Sequence, residues 1–244
     1  MTMVTRKPQL NRAVFTTTDF NSRSMGPLAA LVQPCPQPGA FTIEVRRHGR
    51  PVRRIPLQVA KEESRRQLTI DLAARHAKEN DCNCHDPSAT AHTVAVNGVV
   101  VFYASSGIGG WSVRVTRADT EKSAIMLDSS KTISSGSVYS VTLLQPGTYS
   151  ARTSDGKGQL SIVVRSPKEA KEFDPRSGQL VQVLPGGTFR QKSVEQWSGG
   201  TVAFHCTEDC QLMINMEHAD DRHNEPIKRK PAPGSVGVKK KTRK

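Results

Sequence analysis

Val94-Ala-Val-Asn-Gly-Val-Val-Val-Phe-Tyr103 opens the part of the sequence that decides the fold. Its apolar side chains flank Asn97-Gly98, a pair typical of tight hairpin turns. Eight further segments of this kind follow, ending with Gln211–Met216, and turns rich in Gly and Pro separate them. Short strands with turns at this spacing predict an all-β fold, an antiparallel β-sandwich of cupredoxin or immunoglobulin type over residues 92–217.

The alternation of apolar and polar residues begins earlier, at Phe41. Two alternating runs on either side of His48-Gly-Arg-Pro51 predict a β-hairpin. A strand and a short helix are expected after it, from Gln67 to Asn80. We therefore expect a small hairpin module over residues 40–80, added to the N-terminal side of the sandwich.

The two ends of the chain lack this periodicity. Residues 1–39 are rich in Thr, Ser, Pro and Arg, which predicts a disordered arm. Their scarcity of acidic residues is also typical of an organelle transit peptide, and this alternative stays open. Residues 226–244 contain Pro, Gly and Lys and predict a disordered basic tail. No internal repeat is strong enough to assert.

Part of the predicted sandwich has a family likeness. Trp111-Ser-Val-Arg-Val-Thr116 is followed by Ser135–Leu143 and then by Gln145-Pro-Gly-Thr-Tyr149. This order resembles the second half of a cupredoxin domain, over residues 92–165. The resemblance implies a β-sandwich, and in that family Cys, His and Met ligands hold copper. The corresponding loop here, Arg152–Gly158, contains none of the three residue types, so a type 1 copper site is not expected.

Composition narrows the class of protein. No apolar run approaches the roughly 20 residues that span a bilayer, and no secretory signal follows the first charges. We expect a protein that is not secreted: cytoplasmic, or nuclear if its source is eukaryotic or viral. The sequence also lacks the Ser-elbow, phosphate-loop and His-Glu-x-x-His motifs, so a non-enzymatic role is favoured.

Five cysteines, an odd number, argue against a disulfide scaffold. Cys82, Cys84 and His85 form the densest group of metal-binding residue types, and thiolate and imidazole donors suit zinc or copper(I). The other interpretation is a polar loop with free thiols and no cofactor. Cys206 and Cys210 are predicted to face each other across a β-hairpin, as buried thiols or as a reducible bridge.

The positive charge is concentrated at the two ends. The chain carries 35 Lys+Arg against 22 Asp+Glu, a net charge of +13. Residues 1–60 contribute +7 and residues 228–244 contribute +8, so residues 61–227 have a net charge of about −2. The first basic segment lies at the predicted hairpin tip and comprises Arg46, Arg47, Arg50, Arg53 and Arg54. Guanidinium groups suit phosphate oxygens, although a solvated hairpin end protected by charge explains the segment equally well.

The second basic segment is the tail. It comprises Lys228, Arg229, Lys230, Lys239, Lys240, Lys241, Arg243 and Lys244. Two basic clusters with a spacer are typical of a nuclear localisation signal, and equally of an arm that neutralises phosphates or an acidic protein.

The sequence favours a binding or structural protein, such as a virion component or a ribonucleoprotein accessory. Its partner would be nucleic acid or another polyanion, held without sequence specificity. The alternative is a metal-handling protein centred on Cys82, Cys84 and His85. The oligomeric state is left open.

Overall fold

The computed structural model describes residues 12–74, 91–118, 124–154, 157–166 and 178–220. Within these ranges the chain is all-β, as predicted, with one 3-10 turn at Arg12–Thr16 and no α-helix. None of the described segments is a helix that could span a membrane. The strands are β1 (Asp19–Asn21), β2 (Ala29–Cys35), β3 (Gly39–Arg47), β4 (Arg50–Ala60), β5 (Gln67–Asp71), β6 (His92–Ala95), β7 (Gly98–Tyr103), β8 (Trp111–Arg117), β9 (Ile125–Asp128), β10 (Val138–Leu143), β11 (Gly147–Thr153), β12 (Gln159–Arg165), β13 (Gln179–Leu184), β14 (Thr188–Phe189), β15 (Ser193–Trp197), β16 (Gly200–Cys206) and β17 (Leu212–Ala219).

These strands form three sheets. The seven-stranded sheet, here called the shared sheet, has the order β14-β13-β16-β10-β2-β7-β5. Sheet I has the order β6-β4-β3-β8-β9, and sheet II has the order β1-β17-β11-β12-β15. Most neighbouring strands are antiparallel, whereas β4–β6, β5–β7, β12–β15 and β13–β16 are parallel. Three sheets therefore replace the single two-sheet sandwich expected over residues 92–217.

The hairpin of β3 and β4 is an integral part of sheet I and not an added module. β3 pairs with β8, and β4 pairs with β6, so the hairpin lies between two strands from the region predicted to fold separately. Its inward side chains, among them Phe41, Ile43 and Leu57, belong to the buried core. The expectation of a separate module failed because alternation predicts a strand without saying where that strand pairs.

Residues 12–39 also differ from the disordered arm that was expected. β2 lies in the middle of the shared sheet, between β10 and β7, and its Leu31 and Cys35 are fully buried. Pro34 is tolerated there because β10 pairs with β2 only as far as Val32. The proline thus lies beyond that ladder, where its missing N–H breaks no bond to β10.

The chain contains an internal duplication of topology. Strands β2 to β8 correspond in order to β10, β11, β12, β13, β15, β16 and β17. Every pair of neighbouring strands in the first set has a counterpart in the second, and both pairs are parallel or both are antiparallel. An isolated bridge joins Met25 to Trp111, and its counterpart joins Ile133 to Cys210. We call β1–β8 the first half and β9–β17 the second half.

The two halves exchange their first strands. β1, from the first half, pairs with β17 in sheet II, while β9, from the second half, pairs with β8 in sheet I. The ends of both exchanged strands are fixed in the same way: Ser22 donates its N–H to Leu212 O and accepts from Leu212 N on Oγ, both at 3.0 Å. Ser129 makes the same two bonds to Val113, both at 2.9 Å.

The halves meet at β2 and β10, and the pseudo-twofold axis passes between Leu31 and Tyr139. These two residues lie directly opposite each other and are both fully buried. Phe102 pairs with Leu31 on one side, and Phe204 pairs with Tyr139 on the other. This apolar row runs across the seam on one face of the shared sheet, so both halves contribute to a single core.

Candidate polyanion-binding hairpin

The five hairpin arginines surround a two-residue turn. His48 and Gly49 have φ values of 49° and 78°, as a type I′ turn between antiparallel strands requires. A bulge follows at once: Val45 pairs with Arg53 and Arg46 with Pro51, so that Val52 has no partner on β3. The turn and the bulge distribute the arginines over different sides of the tip.

The tip is held against the loop that precedes β8. His48 donates its backbone N–H to Gly110 O at 2.7 Å, and its imidazole packs where a side chain on residue 110 would stand. The Arg47 guanidinium lies over the Trp111 ring, 5.2 Å from its centroid. These contacts fix the position of the tip relative to sheet I.

Two of the arginines share one carboxylate. Arg46 Nε lies 2.6 Å from Glu44 Oε1, and Arg54 Nη2 lies 3.4 Å from Glu44 Oε2. Burial by itself would raise the pKa of Glu44, but the hydrogen bonds and charges of Arg46 and Arg54 outweigh it and lower that pKa. Glu44 therefore stays ionised and offsets part of the positive charge.

The same carboxylate belongs to a row of alternating charges across sheet I. Arg54 lies opposite Glu44 on β3, Glu44 lies opposite Arg114 on β8, and Arg114 lies opposite Asp128 on β9. Opposite charges facing each other across neighbouring strands stabilise a sheet. The sequence analysis missed Arg114 and Asp128, because the register that aligns them is not visible in any one strand.

Arg53 has a structural role. Its Nη2 donates to Asp71 O at 2.7 Å and its Nη1 to Ala74 O at 3.4 Å, which ties the hairpin to the end of β5. The Asp71 carboxylate accepts from Ser105 N at 3.0 Å and from Ser105 Oγ at 2.5 Å. Burial by itself would raise the pKa of Asp71. The hydrogen bonds and the charge of Arg53 outweigh burial, so the pKa is lowered.

The predicted five-arginine site is thus divided. Arg46 and Arg53 are partly buried and bound to groups of the protein, whereas Arg47, Arg50 and Arg54 are exposed at the tip. Arg47 and Arg50 lie opposite each other beside exposed His48, whereas Arg54 lies further along β4, opposite Glu44. The predicted basic tail, residues 228–244, lies outside the described residues, and so do Cys82, Cys84 and His85.

No group of three or more His, Cys, Asp or Glu side chains that could hold a metal ion occurs among the described residues. The zinc or copper site at Cys82, Cys84 and His85 stays a prediction.

Cys206 and Cys210 are buried neighbours, but the hairpin predicted to join them does not form. Their Sγ atoms are 2.9 Å apart, and both thiols are free. β16 belongs to the shared sheet and β17 to sheet II, so Phe204 of β16 pairs with Tyr139 of β10 and not with a residue of β17. The three-residue loop crosses from one sheet to another, which alternation within each strand cannot reveal.

A cleft of about 360 Å³ opens beside the exchanged strand β1. Tyr139 and the Gly107–Gly110 loop are among the residues that line it. The polar groups of its rim pair with one another, since the Asn215 amide donates to Asp19 Oδ1 at 3.2 Å. Asn21 Oδ1 accepts from Arg23 N at 2.9 Å.

The chain matches no family model, no curated protein and no solved structure in the comparisons made.

Proposed function

We propose that this is a non-enzymatic binding or structural protein that holds a polyanion, with nucleic acid as the polyanion, and does so without reading its sequence. The observation that carries the proposal is the hairpin tip, where exposed Arg47 and Arg50 lie opposite each other across the turn. Arginine presents paired N–H donors that match phosphate oxygens. The tip is also held in place by Gly110 and Trp111, so little ordering is required on binding.

We further propose that each half packs as a β-sandwich of cupredoxin type, sheet I or sheet II covering its half of the shared sheet. Alternate side chains of all three sheets contribute to one buried core, which supports face-to-face packing. In this arrangement the arginine tip lies at one end of sheet I. A β-ribbon that carries arginines at its turn fits a groove of a duplex.

The salt dependence of binding tests the role of the tip. Full-length protein is titrated with a labelled DNA duplex of mixed sequence at several salt concentrations, and anisotropy gives the affinity. Each lost phosphate contact flattens the slope of log affinity against log salt by about 0.9, so Arg47→Ala with Arg50→Ala should flatten it by up to about 1.8. The weakening should be the same for unrelated sequences.

The matched control removes two arginines from sheet II. Arg152 is paired with Glu217 at 3.4 Å and Arg165 with Glu195 at 2.8 Å. Arg152→Ala with Arg165→Ala changes the net charge equally and should leave the slope nearly unchanged. An equal effect of the two double variants, or no binding at low salt, would contradict the proposal.

The tail is proposed as the second polyanion contact. A chain that ends after Pro226 lacks eight positive charges, and it should show a flatter slope with an unchanged thermal midpoint. If the full-length and shortened proteins bind with equal salt dependence, the tail has no role in binding. It would then serve as a localisation signal or increase solubility.

A further inference from the structure

The buried thiols of Cys206 and Cys210 are held side by side by the segment that leads into β10. Cys206 donates its N–H to Ser137 O at 3.0 Å, and its carbonyl oxygen accepts from Gly136 N at 2.8 Å. Cys210 exchanges two backbone hydrogen bonds with Ile133, at 2.8 and 3.1 Å. Both cysteines are therefore positioned by one short stretch of chain, and no hairpin between β16 and β17 is needed to bring them together.

The loop between the two cysteines, residues 207–209, is anchored as well. Thr207 donates to Val183 O from its backbone N–H at 3.1 Å and from Oγ1 at 2.7 Å. Asp209 Oδ1 accepts from Ser135 N at 2.9 Å. These bonds restrict the loop, so the fold keeps the two Sγ atoms near their separation of 2.9 Å. A disulfide bond is about 2.05 Å long, so small side-chain rotations bring the sulfurs to bonding distance.

The internal duplication shows that the fold requires cysteine at neither position. Trp111 makes the isolated bridge in the first half that Cys210 makes in the second. By the register of β7 and β16, Ala104 stands where Cys206 stands in the second half. Ala104 and Trp111 are ordinary buried residues of the core. Apolar side chains thus serve both positions in the first half, and two thiols in contact point to a reaction between them.

We infer that Cys206 and Cys210 become a disulfide when the chain folds in the presence of a small-molecule disulfide such as oxidised glutathione. One thiolate attacks the small disulfide and releases one small thiol, and the second thiolate attacks the mixed disulfide and releases the other. An S–S bond forms in the protein while the S–S bond of the small molecule breaks. The protons of the two cysteine thiols pass to the two released thiols. This site is independent of the polyanion contact proposed above.

The disulfide would join two sheets covalently. Cys206 ends β16 in the shared sheet, and Cys210 lies just before β17 in sheet II. Leu212, the first residue of β17, is bound in turn by Ser22 at the end of the exchanged strand β1. The bond would therefore tie both β17 and β1 to the shared sheet. A fold that holds two thiols together favours their disulfide, and by linkage the disulfide stabilises that fold to the same extent.

Equilibration with glutathione tests this inference. The reduced full chain is refolded from urea in mixtures of reduced and oxidised glutathione, quenched with acid and mapped by mass spectrometry. Both cysteines stay on one tryptic peptide, residues 193–222, and their disulfide makes it lighter by about 2 Da. Half of this peptide should be bridged in a mixture at least about ten-fold more reducing for the folded chain than for the chain held in urea, because folding holds the thiols in contact.

Thermal unfolding provides the second readout. The bridged chain should melt roughly 4–8 °C above the reduced chain, as expected for a disulfide that closes so short a loop. Cys210→Ala should lose this dependence on glutathione, and Cys206→Ala serves in its place if that variant fails to fold. Cys35→Ala is the matched control, since Cys35 is also a buried free cysteine. It should keep both the disulfide and the shift.

A peptide 193–222 that stays unbridged in the folded chain, even in fully oxidised glutathione, overturns the inference. Equal bridging of folded and urea-unfolded chains would also overturn it, because the fold would then give the disulfide no advantage. Attachment of glutathione to Cys206 or Cys210 in place of the disulfide would equally count against it.

Discussion

Gly147 faces the carbonyl oxygen of His218 so closely that a Cβ on residue 147 would overlap it. Its φ of 151° is also unfavourable for other residues, and Gly39, its counterpart in the first half, has a φ of 149°. Both glycines follow a Gln-Pro pair and begin the equivalent strands β11 and β3.

Gly147→Ala should therefore lower the free energy of unfolding by roughly 2–4 kcal/mol, through overlap together with backbone strain. Chemical denaturation measures the loss. Gly186→Ala is the control: Gly186 has a φ of 78° with nothing within 4 Å of a Cβ, so only the backbone cost of about 1 kcal/mol is expected. Equal losses would show that Gly147 is not crowded by His218.

The two large buried tyrosines should respond in opposite ways to loss of their hydroxyl group. Tyr139 Oη is buried without a hydrogen-bond partner, whereas Tyr149 Oη donates to Gln145 O at 3.0 Å. Tyr139→Phe removes an unsatisfied polar group and should leave stability unchanged or raise it by about 1 kcal/mol. Tyr149→Phe should lower it by a similar amount, as measured by denaturation. A clear loss in Tyr139→Phe would show that its hydroxyl has a partner.

Acid should weaken the arginine hairpin through Glu44. In the folded protein the pKa of Glu44 lies below its ordinary value of 4.5. The stabilisation that the ionised carboxylate gives to the fold is therefore complete above pH 4.5, and it is lost as the pH falls through the folded pKa. Glu44→Gln should cost about 1 kcal/mol at neutral pH, and this difference from the unmodified chain should shrink in acid below pH 4.5. Thermal midpoints across the acidic range give the comparison. A difference that is constant with pH would indicate a packing effect.

The buried thiols should be protected from alkylation in the folded chain. Cys35, Cys206 and Cys210 are all buried. Burial raises the pKa of Cys35 to about 11, and the hydrogen bond with Cys210 together with burial raises that of Cys206. Because the thiolate is the reactive form, peptide mapping after iodoacetamide treatment should find these three unmodified in native protein and modified after unfolding. Modification of Cys206 without unfolding would contradict the burial described here.

Local periodicity was enough to predict most strands and their inward faces. Alternation predicts inward positions for Phe102, Val113, Tyr149 and Ile214, and all four are buried, whereas Val96, also predicted to be in the core, is only partly buried. Burial on one face of a strand imposes a period of two on the sequence itself, which is why this part could be read.

Pairing between distant strands could not be read in that way. The duplicated Gln37-Pro-Gly39 and Gln145-Pro-Gly147 are visible in the sequence, but the strands after them differ at equivalent buried positions, such as Val45 and Thr153. The row of alternating charges across sheet I likewise depends on the register between strands that are distant in the sequence. The sequence indicated which residues form the predicted arginine site. It could not distinguish the exposed Arg47 from Arg53, which the structure shows bound to the Asp71 and Ala74 carbonyl groups.

The exchange of β1 and β9 has a consequence for synthesis of the chain. β1 precedes its partner β17 by nearly the whole described sequence, since β17 is the last strand among the described residues, and sheet I is incomplete until β9 follows β8. A nascent chain on the ribosome therefore exposes an unfinished edge until residue 219 has emerged. Neither half can complete its own sheet alone, because each needs a strand from the other half. The two halves should therefore fold together, after β17 has been synthesised.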